Sequence, residues 1–332
     1  MLHGFEFTIG EFSYPPLVRF IAESPAFPMF TPRSGYAHAI SALTYGVLLV
    51  CLGILLIVGG LVTYSTWKFR GRPGEPEPKP IYGNPKLEIA YTGAFVLILS
   101  VVSYFSVKAM WKSDPPTRQA DNLQIVAHQW WWEVRYPRTG LVTANEIHVM
   151  AGQPQRVGFR SADVIHDFWV PQLGRKMDVI PGVENHAWFA ADQPGTYYGR
   201  CAEYCGQEHA WMRIRVIAQA PADYKRWEQA QMALPAASAA GPATAGAQDF
   251  QQLSCASCHT IRGTPAHARI GPDLTHVASR ETIAAGRLNN TPGNLAQWLL
   301  APNLVKPGCK MPNLHLTREQ QTDLVAYLEG LR

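Results

Sequence analysis

The sequence predicts a membrane-anchored protein of several domains, in which two transmembrane helices precede an all-β domain and then an all-α domain. Three observations support this prediction: two uncharged apolar stretches, a series of short alternating segments, and an amphipathic helix at the end of the chain. With 332 residues, the chain is long enough for about two or three domains. Its formal net charge is only +4 and it has no dense basic cluster, so we expect no nucleic-acid binding.

The first two elements are apolar stretches with the length of membrane spans. Residues 34–67 contain no Asp, Glu, Lys or Arg, and residues 89–107 are also uncharged. A helix of about 20 apolar residues crosses the ~30 Å hydrocarbon layer of a bilayer. A signal peptide would need a short basic segment before the first stretch, and the sequence has none there. Two buried core helices are the other alternative.

The loop between the two apolar stretches predicts their orientation. Its Lys and Arg residues lie close to both stretches, and basic residues next to membrane spans stay on the cytoplasmic side. Both termini are therefore expected on the outer side of the membrane.

Residues 123–218 are predicted to form an antiparallel sandwich or barrel. They contain short segments with alternating apolar residues, separated by turn residues such as Pro194 and Gly195. The stretch that follows, over residues 219–247, is rich in Ala and Pro. This composition predicts a flexible linker.

The last part of the chain is predicted to be helical. Thr317 and Gln320 have the spacing of a capping box, which marks the start of a helix. An apolar stripe follows at helical spacing, formed by Leu324, Tyr327, Leu328 and Leu331.

Cys255, Cys258 and His259 form the C-x-x-C-H pattern of covalent haem c attachment. The two thiols can add to the vinyl groups of one haem while the adjacent imidazole coordinates the iron. A disulfide or a zinc site is the alternative, but neither requires a histidine directly after the second cysteine. The pattern therefore favours haem.

Met311 is the expected second axial ligand of the haem iron, because it is the only methionine downstream of the attachment motif. Ligation by a thioether raises the haem potential relative to two histidines. Met311 would otherwise be a core residue that fills a gap. The rival ligands are His267, His276 and His315.

A second metal motif precedes the linker. Its candidate ligands are Cys201, Cys205, His209 and Met212, with His166 upstream. Two thiolates can bridge two copper ions, with His166 on one ion and His209 on the other. Met212 and a backbone carbonyl near Glu203 would then be weak axial ligands. A disulfide between the cysteines leaves the His and Met spacing unexplained, and a structural zinc site is the other alternative.

Three stretches of the chain together resemble subunit II of haem-copper cytochrome c oxidases: HQWWWEVRYP, DVIHDFWVPQLGRKMDVIPG and PGTYYGRCAEYCGQEHAWM. The haem-bearing tail resembles the caa-type variant, in which a cytochrome c is fused to this subunit. The resemblance covers about residues 36–332. It implies a cupredoxin-like fold for the β domain and a class I cytochrome c fold for the last domain.

The resulting division of the chain has five parts. They are an outer-side segment (1–35), a two-helix transmembrane hairpin (36–112), a copper domain (113–218), the linker (219–247) and a cytochrome c domain (248–332).

The resemblance also implies roles for individual residues. The ligands of the family's dinuclear copper centre, CuA, correspond to His166, Cys201, Glu203 through its carbonyl, Cys205, His209 and Met212. The Glu203 carboxylate would also join a magnesium or manganese site shared with subunit I. Trp130 matches the aromatic residue over which electrons leave the copper for subunit I. Glu88 matches a carboxylate at the entrance of a proton channel, although the helix dipole alone favours an acid in the first turn.

The expected function is that of the electron-entry subunit of a terminal oxidase in a bacterial inner membrane, with both metal domains on the outer side. A soluble donor such as cytochrome c would supply electrons, and subunit I would reduce oxygen to water coupled to proton translocation. The other expected partners are the lipid bilayer and further oxidase subunits. Two rivals are the same module in a CuA-type nitric oxide reductase and a stand-alone membrane-anchored electron carrier. The second span argues against a stand-alone carrier, because one span is enough for an anchor.

Overall fold

The computed structural model of the chain describes residues 28–71, 73–74, 76, 79–115, 119–235 and 244–332. Two long helices, α1 (Gly35–Lys68) and α2 (Pro85–Ser113), pack against each other. Both are long and apolar enough to cross a membrane, and their most apolar segments are not buried within the chain. Their apolar side chains face outward. This contradicts the alternative that they are core helices and agrees with two membrane spans.

The start of α1 and the end of α2 contact the β domain. Ser34 is the N-cap of α1, and its hydroxyl donates a hydrogen bond of 2.7 Å to the carbonyl of Leu173. Just beyond the end of α2, the Asp114 carboxylate accepts a hydrogen bond of 2.6 Å from Arg175. These contacts fix the orientation of the β domain relative to the membrane helices.

The β domain is a cupredoxin-like sandwich of two five-stranded sheets. The first sheet, in the order β3-β2-β1-β5-β8, contains β1 (Leu123–His128), β2 (Trp131–Tyr136), β3 (Leu141–Ala144), β5 (Gln155–Ser161) and β8 (Asn185–Phe189). The second sheet, in the order β4-β10-β9-β6-β7, contains β4 (Glu146–Met150), β6 (His166–Trp169), β7 (Met177–Val179), β9 (Gly195–Cys201) and β10 (Arg213–Gln219).

Two strand pairings differ from the antiparallel sheet that the sequence predicts. Strand β1 pairs with β5 in parallel, and β10 pairs with β4 in parallel, while the other neighbours are antiparallel. Parallel strands require a long connection, and three strands separate β1 from β5 along the chain. Alternation of apolar residues identifies a strand but not its partner, so the pattern could not reveal these pairings.

The core between the sheets reaches the start of β6. Trp132 is fully buried, and its ring meets the ring of Phe168 edge-on, with centroids 5.5 Å apart. The His166 ring lies 6.0 Å from the same indole. Close aromatic packing therefore restricts the position of His166 before any metal is considered.

Part of the expected linker is an ordered helix. Residues Pro221–Met232 form α3, which packs on the β domain through Trp227. The Trp227 ring stacks on His148, with centroids 4.1 Å apart and an angle of 8° between the rings. The prediction of a flexible linker over 219–247 is thus wrong for this half, because one aromatic anchor outweighs the Ala-rich composition. Residues 236–243 lie outside the described part of the chain.

The C-terminal domain is mainly helical, as the sequence predicts. It contains α4 (Ala245–Gln252), the short strands β11 (Thr282–Ile283) and β12 (Leu288–Asn289), α5 (Pro292–Leu300), α6 (Pro302–Val305) and α7 (Arg318–Glu329). The capping box of Thr317 and Gln320 is confirmed. The predicted apolar stripe is also confirmed as buried, with three of its residues in α7 and Leu331 just beyond the end of the helix.

Candidate metal centres

Pairing of β6 with β9 positions the first metal ligands. His166 is the first residue of β6 and Cys201 is the last residue of β9, and Phe168 lies opposite Cys201 in the antiparallel register. Residues 201–212, which we call the metal loop, connect β9 to β10 and carry the remaining ligands. A sheet contact therefore brings together residues that lie far apart in the sequence.

Two thiols and two imidazoles form the centre of this site. The sulfur atoms of Cys201 and Cys205 are 3.8 Å apart, and both cysteines are free thiols. His166 Nδ1 lies 3.9 Å from the Cys201 sulfur, and His209 Nδ1 lies 3.6 Å from the Cys205 sulfur. Each sulfur thus has one imidazole beside it. The distance between the sulfur atoms contradicts a disulfide.

Two weaker candidate ligands lie close to the sulfur atoms of the two cysteines. Met212 Sδ is 3.9 Å from the sulfur of Cys205, and the carbonyl oxygen of Glu203 is 3.2 Å from the sulfur of Cys201. Both cysteines and Met212 are buried. Two thiolates with one imidazole each, a thioether and a carbonyl fit a pair of sulfur-bridged copper ions. A tetrahedral zinc site would leave the thioether and the carbonyl without a role.

Asp163 orients the His166 ring. Its carboxylate lies 2.9 Å from Nε2, so the Nδ1 atom faces the Cys201 sulfur. Burial raises the pKa of the Asp163 carboxylate. Hydrogen bonds from His166 and from the backbone N–H groups of Gln129 and Val164 outweigh this and lower the pKa to about 2. An ionised carboxylate keeps the proton on Nε2 and leaves the Nδ1 lone pair for a metal. Sequence reasoning missed Asp163, although an acid three residues before a candidate ligand was the available signal.

The environment of the two thiols favours the thiolate form at Cys201. A hydrogen bond with Cys205 lowers the pKa of the Cys201 thiol, and burial raises it. A further hydrogen bond with His166 also lowers it, and the resulting pKa is about 3. The thiolate is the form of cysteine that binds metals. The same hydrogen bond, together with burial, raises the pKa of Cys205, so Cys201 is the thiolate of the pair before a metal binds.

Trp130 lies between the metal loop and the C-terminal domain. Its indole N–H donates a hydrogen bond of 3.0 Å to the carbonyl of Cys205, and its own carbonyl accepts one of 2.6 Å from Lys306. Gly206 has a φ of 116°, and a Cβ atom there would lie 3.0 Å from the indole ring. The Lys306 contact favours a role between the two domains. The exit towards a partner that the resemblance implied stays a prediction.

The haem-attachment motif has the geometry that the attachment chemistry needs. Cys255 and Cys258 are free thiols beside His259. The Nδ1–H group of His259 donates a hydrogen bond of 2.8 Å to the carbonyl of Pro272, which leaves Nε2 for the iron. Gly271 lies against the ring, because a Cβ atom there would be 2.6 Å from its Cε1 atom. A backbone without a side chain is thus what allows this ring position.

The surroundings of the candidate second axial ligands favour Met311. It is partly buried and packs against the hydrophobic core of the C-terminal domain, as Cys255 does. The Nε2 atom of His276 is engaged with the carbonyl of Ala233 at 3.0 Å. The remaining rivals, His267 and His315, are exposed. The role of Met311 stays a prediction.

Glu88 takes part in the start of α2. Its carboxylate lies 3.3 Å from the backbone N–H of Asn84, which is the N-cap of the helix. This contact is what an acid in the first turn is expected to make. A role of Glu88 in proton uptake stays a prediction.

An open groove lies beside the metal loop. Among its lining residues are Val164, Ile165, Glu203 and Tyr204. The three apolar or aromatic side chains of this group are exposed, and Tyr204 is 76% exposed. Exposed apolar side chains next to a polar site often mark a surface that binds another protein.

Two family models match separate parts of the chain. Residues 138–219 match the family described as cytochrome c oxidase subunit II, periplasmic domain. Residues 243–332 match the family described as cytochrome c. The first match contains the metal loop, and the second contains the haem-attachment motif.

Relatives with similarity over most of the chain include three bacterial proteins named cytochrome c oxidase subunit 2. The protein of Alkalihalophilus pseudofirmus is 34% identical over 273 residues, which are 80% of this chain and 79% of the relative. The protein of Bacillus sp. strain PS3 is 32% identical over 80% of each chain. The protein of Bacillus subtilis is 29% identical over 79% of this chain and 80% of the relative.

Replacing Asp163 by Ala should weaken copper binding by about 10–100-fold, because the His166 ring loses the acceptor that orients it. A competitive copper titration of the full chain measures this affinity. Asp192→Ala changes an exposed acid of the same domain and is the matched control, for which we expect no effect. If Asp163→Ala bound copper as tightly as the unchanged chain, the orienting role of Asp163 would be wrong.

Proposed function

This chain belongs to the cytochrome c oxidase subunit 2 family, and on that premise we propose that it is the electron-entry subunit of a terminal oxidase. Electrons from a soluble donor such as cytochrome c would enter through a covalent haem c and the CuA centre and leave to the haem-copper subunit, which reduces oxygen to water coupled to proton translocation. The chain has its role within an oxidase complex. Family membership favours an oxidase over a nitric oxide reductase or a stand-alone carrier.

The observation that carries this proposal is the cluster of two thiols, two imidazoles, a thioether and a carbonyl in the metal loop and β6. Bound copper and haem supply one-electron redox chemistry. The chain supplies their surroundings: the copper ligands lie on strand ends and a short loop, buried against the sandwich core. Ligands held in this way move little when the charge of the site changes, which favours fast electron transfer.

The groove beside the metal loop supports an assignment for the exit side. Val164, Ile165 and Tyr204 are exposed there, and the Glu203 carboxylate lies next to them. We assign this surface to contact with the catalytic subunit. Glu203 would then offer its carboxylate to magnesium or manganese at that interface, while its carbonyl faces the copper site.

Trp130 is assigned to the entry side. It joins the carbonyl of Cys205 to Lys306 of the C-terminal domain through two hydrogen bonds. The haem domain is thus connected to a copper ligand through one buried side chain. This contact supports electron entry from the haem domain, and the exit role that the resemblance implied stays a prediction.

The two membrane-spanning helices anchor an external domain that carries the metal loop. We assign the membrane to the bacterial inner membrane, with both termini on the outer side and the basic loop between the helices on the cytoplasmic side. Glu88 follows that loop, and this position agrees with an entrance for protons on the cytoplasmic side.

The first prediction of this function concerns the copper content. The full chain should bind two copper ions and show an electron paramagnetic resonance signal of one unpaired electron shared by both. Cys201→Ser removes a bridging thiolate, so it should lose this signal and bind at most one copper ion. Cys51→Ser is the control, because Cys51 lies in α1 and should leave the signal unchanged. Stoichiometric zinc without such a signal would refute the copper centre.

A second prediction concerns the haem ligand. Met311→Ala should abolish the weak near-infrared sulfur-to-iron absorption and lower the haem potential, because a thioether stabilises the reduced haem. Cys255 and Cys258 should still hold the haem covalently. Spectroscopy and a redox titration measure both effects, and His315→Ala should change neither. Persistence of the band in Met311→Ala would assign the ligand to another residue.

The third prediction concerns Trp130. Trp130→Phe removes the hydrogen bond to the Cys205 carbonyl, so it should slow electron transfer from haem to copper while both copper ions remain bound. Flash reduction of the haem, followed at the copper absorption, measures this rate. Trp131→Phe is the control, because Trp131 stacks on His128. Equal rates in Trp130→Phe and the unchanged chain would contradict the entry role.

A further inference from the structure

The C-terminal domain contacts the copper domain through a buried carboxylate. Glu146, the first residue of the edge strand β4, is 1% exposed. One of its oxygens accepts hydrogen bonds from the backbone N–H and the hydroxyl of Thr282, at 2.8 and 2.7 Å. The other accepts one of 3.1 Å from the N–H of Glu281. All three donors belong to the C-terminal domain, and Arg215 forms an ion pair with Glu281 beside them.

A second set of contacts lies close to the metal loop. Lys306 is only 4% exposed, and its ammonium group donates a hydrogen bond to the carbonyl of Trp130. The guanidinium of Arg287 lies 3.5 Å from the centroid of the Trp211 ring, which belongs to the metal loop. A segment of six residues runs from Lys306 to Met311, the expected haem ligand. The same contact therefore holds the segment with the expected haem ligand against the copper domain.

The two domains also approach each other closely at Gly308. A Cβ atom at Gly308 would collide with the side chain of Gln207, so backbone and metal loop approach each other directly. Lys310, two residues later, lies 3.8 Å from the carboxylate of Asp163, the residue that orients His166. The two metal sites are thus brought together by side chains that lie next to their ligands in sequence or space.

Burial of charge makes this contact selective. A buried carboxylate is costly unless donors surround it, and a misplaced domain would leave Glu146 without the three donors it has here. Burial raises the pKa of Glu146, opposed by the hydrogen bonds from Thr282 and by the charge of Arg215. Because a carboxylate buried without its donors is costly, this contact determines the position of the C-terminal domain.

The geometry points to one fixed docked position of the haem domain on the copper domain, with Glu146 as the residue that determines it. This inference rests on the proposed function and adds to it that Glu146 is a positioning residue for electron transfer from haem to copper. It also means that a soluble donor reduces the haem, because the haem domain covers the Trp130 side of the metal loop. Electron transfer within the chain then needs no search by a tethered domain.

The first test measures the contact itself in the full chain. In Glu146→Gln, only one side-chain oxygen remains to accept, and the new NH2 group faces the donors of either Thr282 or Glu281. Hydrogen–deuterium exchange at the N–H groups of 281 and 282 should therefore become about tenfold faster or more. Glu133→Gln is the matched control, a buried acid of the same domain that binds His128 and Arg135. It should leave exchange at 281 and 282 unchanged. Equal exchange in Glu146→Gln and the unchanged chain would overturn the inference.

The second test measures electron transfer in the same proteins. Flash reduction of the haem in Glu146→Gln should be followed by slower copper reduction whose rate depends on ionic strength, while the copper and haem spectra stay unchanged. Copper reduction at the same rate in both proteins would refute the positioning role and leave the proposed function intact. If the haem did not reduce the copper in the unchanged chain, the proposed function itself would fail.

A variant on the opposite side of the contact tests whether the two residues act together. Thr282→Val removes one donor without changing Glu146, and it should also increase exchange at 281 and slow copper reduction. In the Glu146→Gln background the same change should have little further effect, since the two residues bind each other. Fully additive effects would show that they act separately and would overturn the inference.

Discussion

The antiparallel pairing of β6 with β9 is the interaction on which the rest of the molecule depends. Phe168 of β6 pairs directly with the last residue of β9, so the first residue of β6 is a diagonal neighbour of that last residue, close enough for the two side chains to meet. These residues are His166 and Cys201. The aromatic rings of Trp132 and Phe168 pack beneath them and restrict their movement. The metal loop then begins at a point that the sheet has already fixed.

The same strand connects the metal site to the membrane. His166 starts β6, and Leu173 and Arg175 follow it within a few residues. Leu173 binds the N-cap of α1, and Arg175 binds the residue that follows α2. A short segment thus carries a metal ligand at one end and the contacts with the membrane helices at the other. Only a few residues separate these two ends, so the distance of the metal site from the membrane is nearly fixed.

Buried polar groups determine orientation where apolar packing could not. Asp163 turns the His166 ring, Lys306 binds the Trp130 carbonyl, and Glu146 binds the backbone of residues 281–282. Apolar contact depends on buried area and tolerates sliding or rotation, whereas a buried charge is stable only beside specific partners. Each of these groups lies at or near a metal site or the contact between the two metal domains.

The sequence by itself determined the membrane helices, the two metal motifs and the terminal helix. Uncharged runs, short ligand spacings and a capping box are local patterns, and their meaning does not depend on distant residues. Only the tertiary structure decided the parallel pairings, of β1 with β5 and of β4 with β10, and the ordered helix α3. The same is true of the contacts of Asp163 with His166 and of Glu146 with Thr282. Glu146 and Thr282 are 136 residues apart and lie in different domains. No local pattern encodes such a contact, because it arises only when both domains have folded and their surfaces meet.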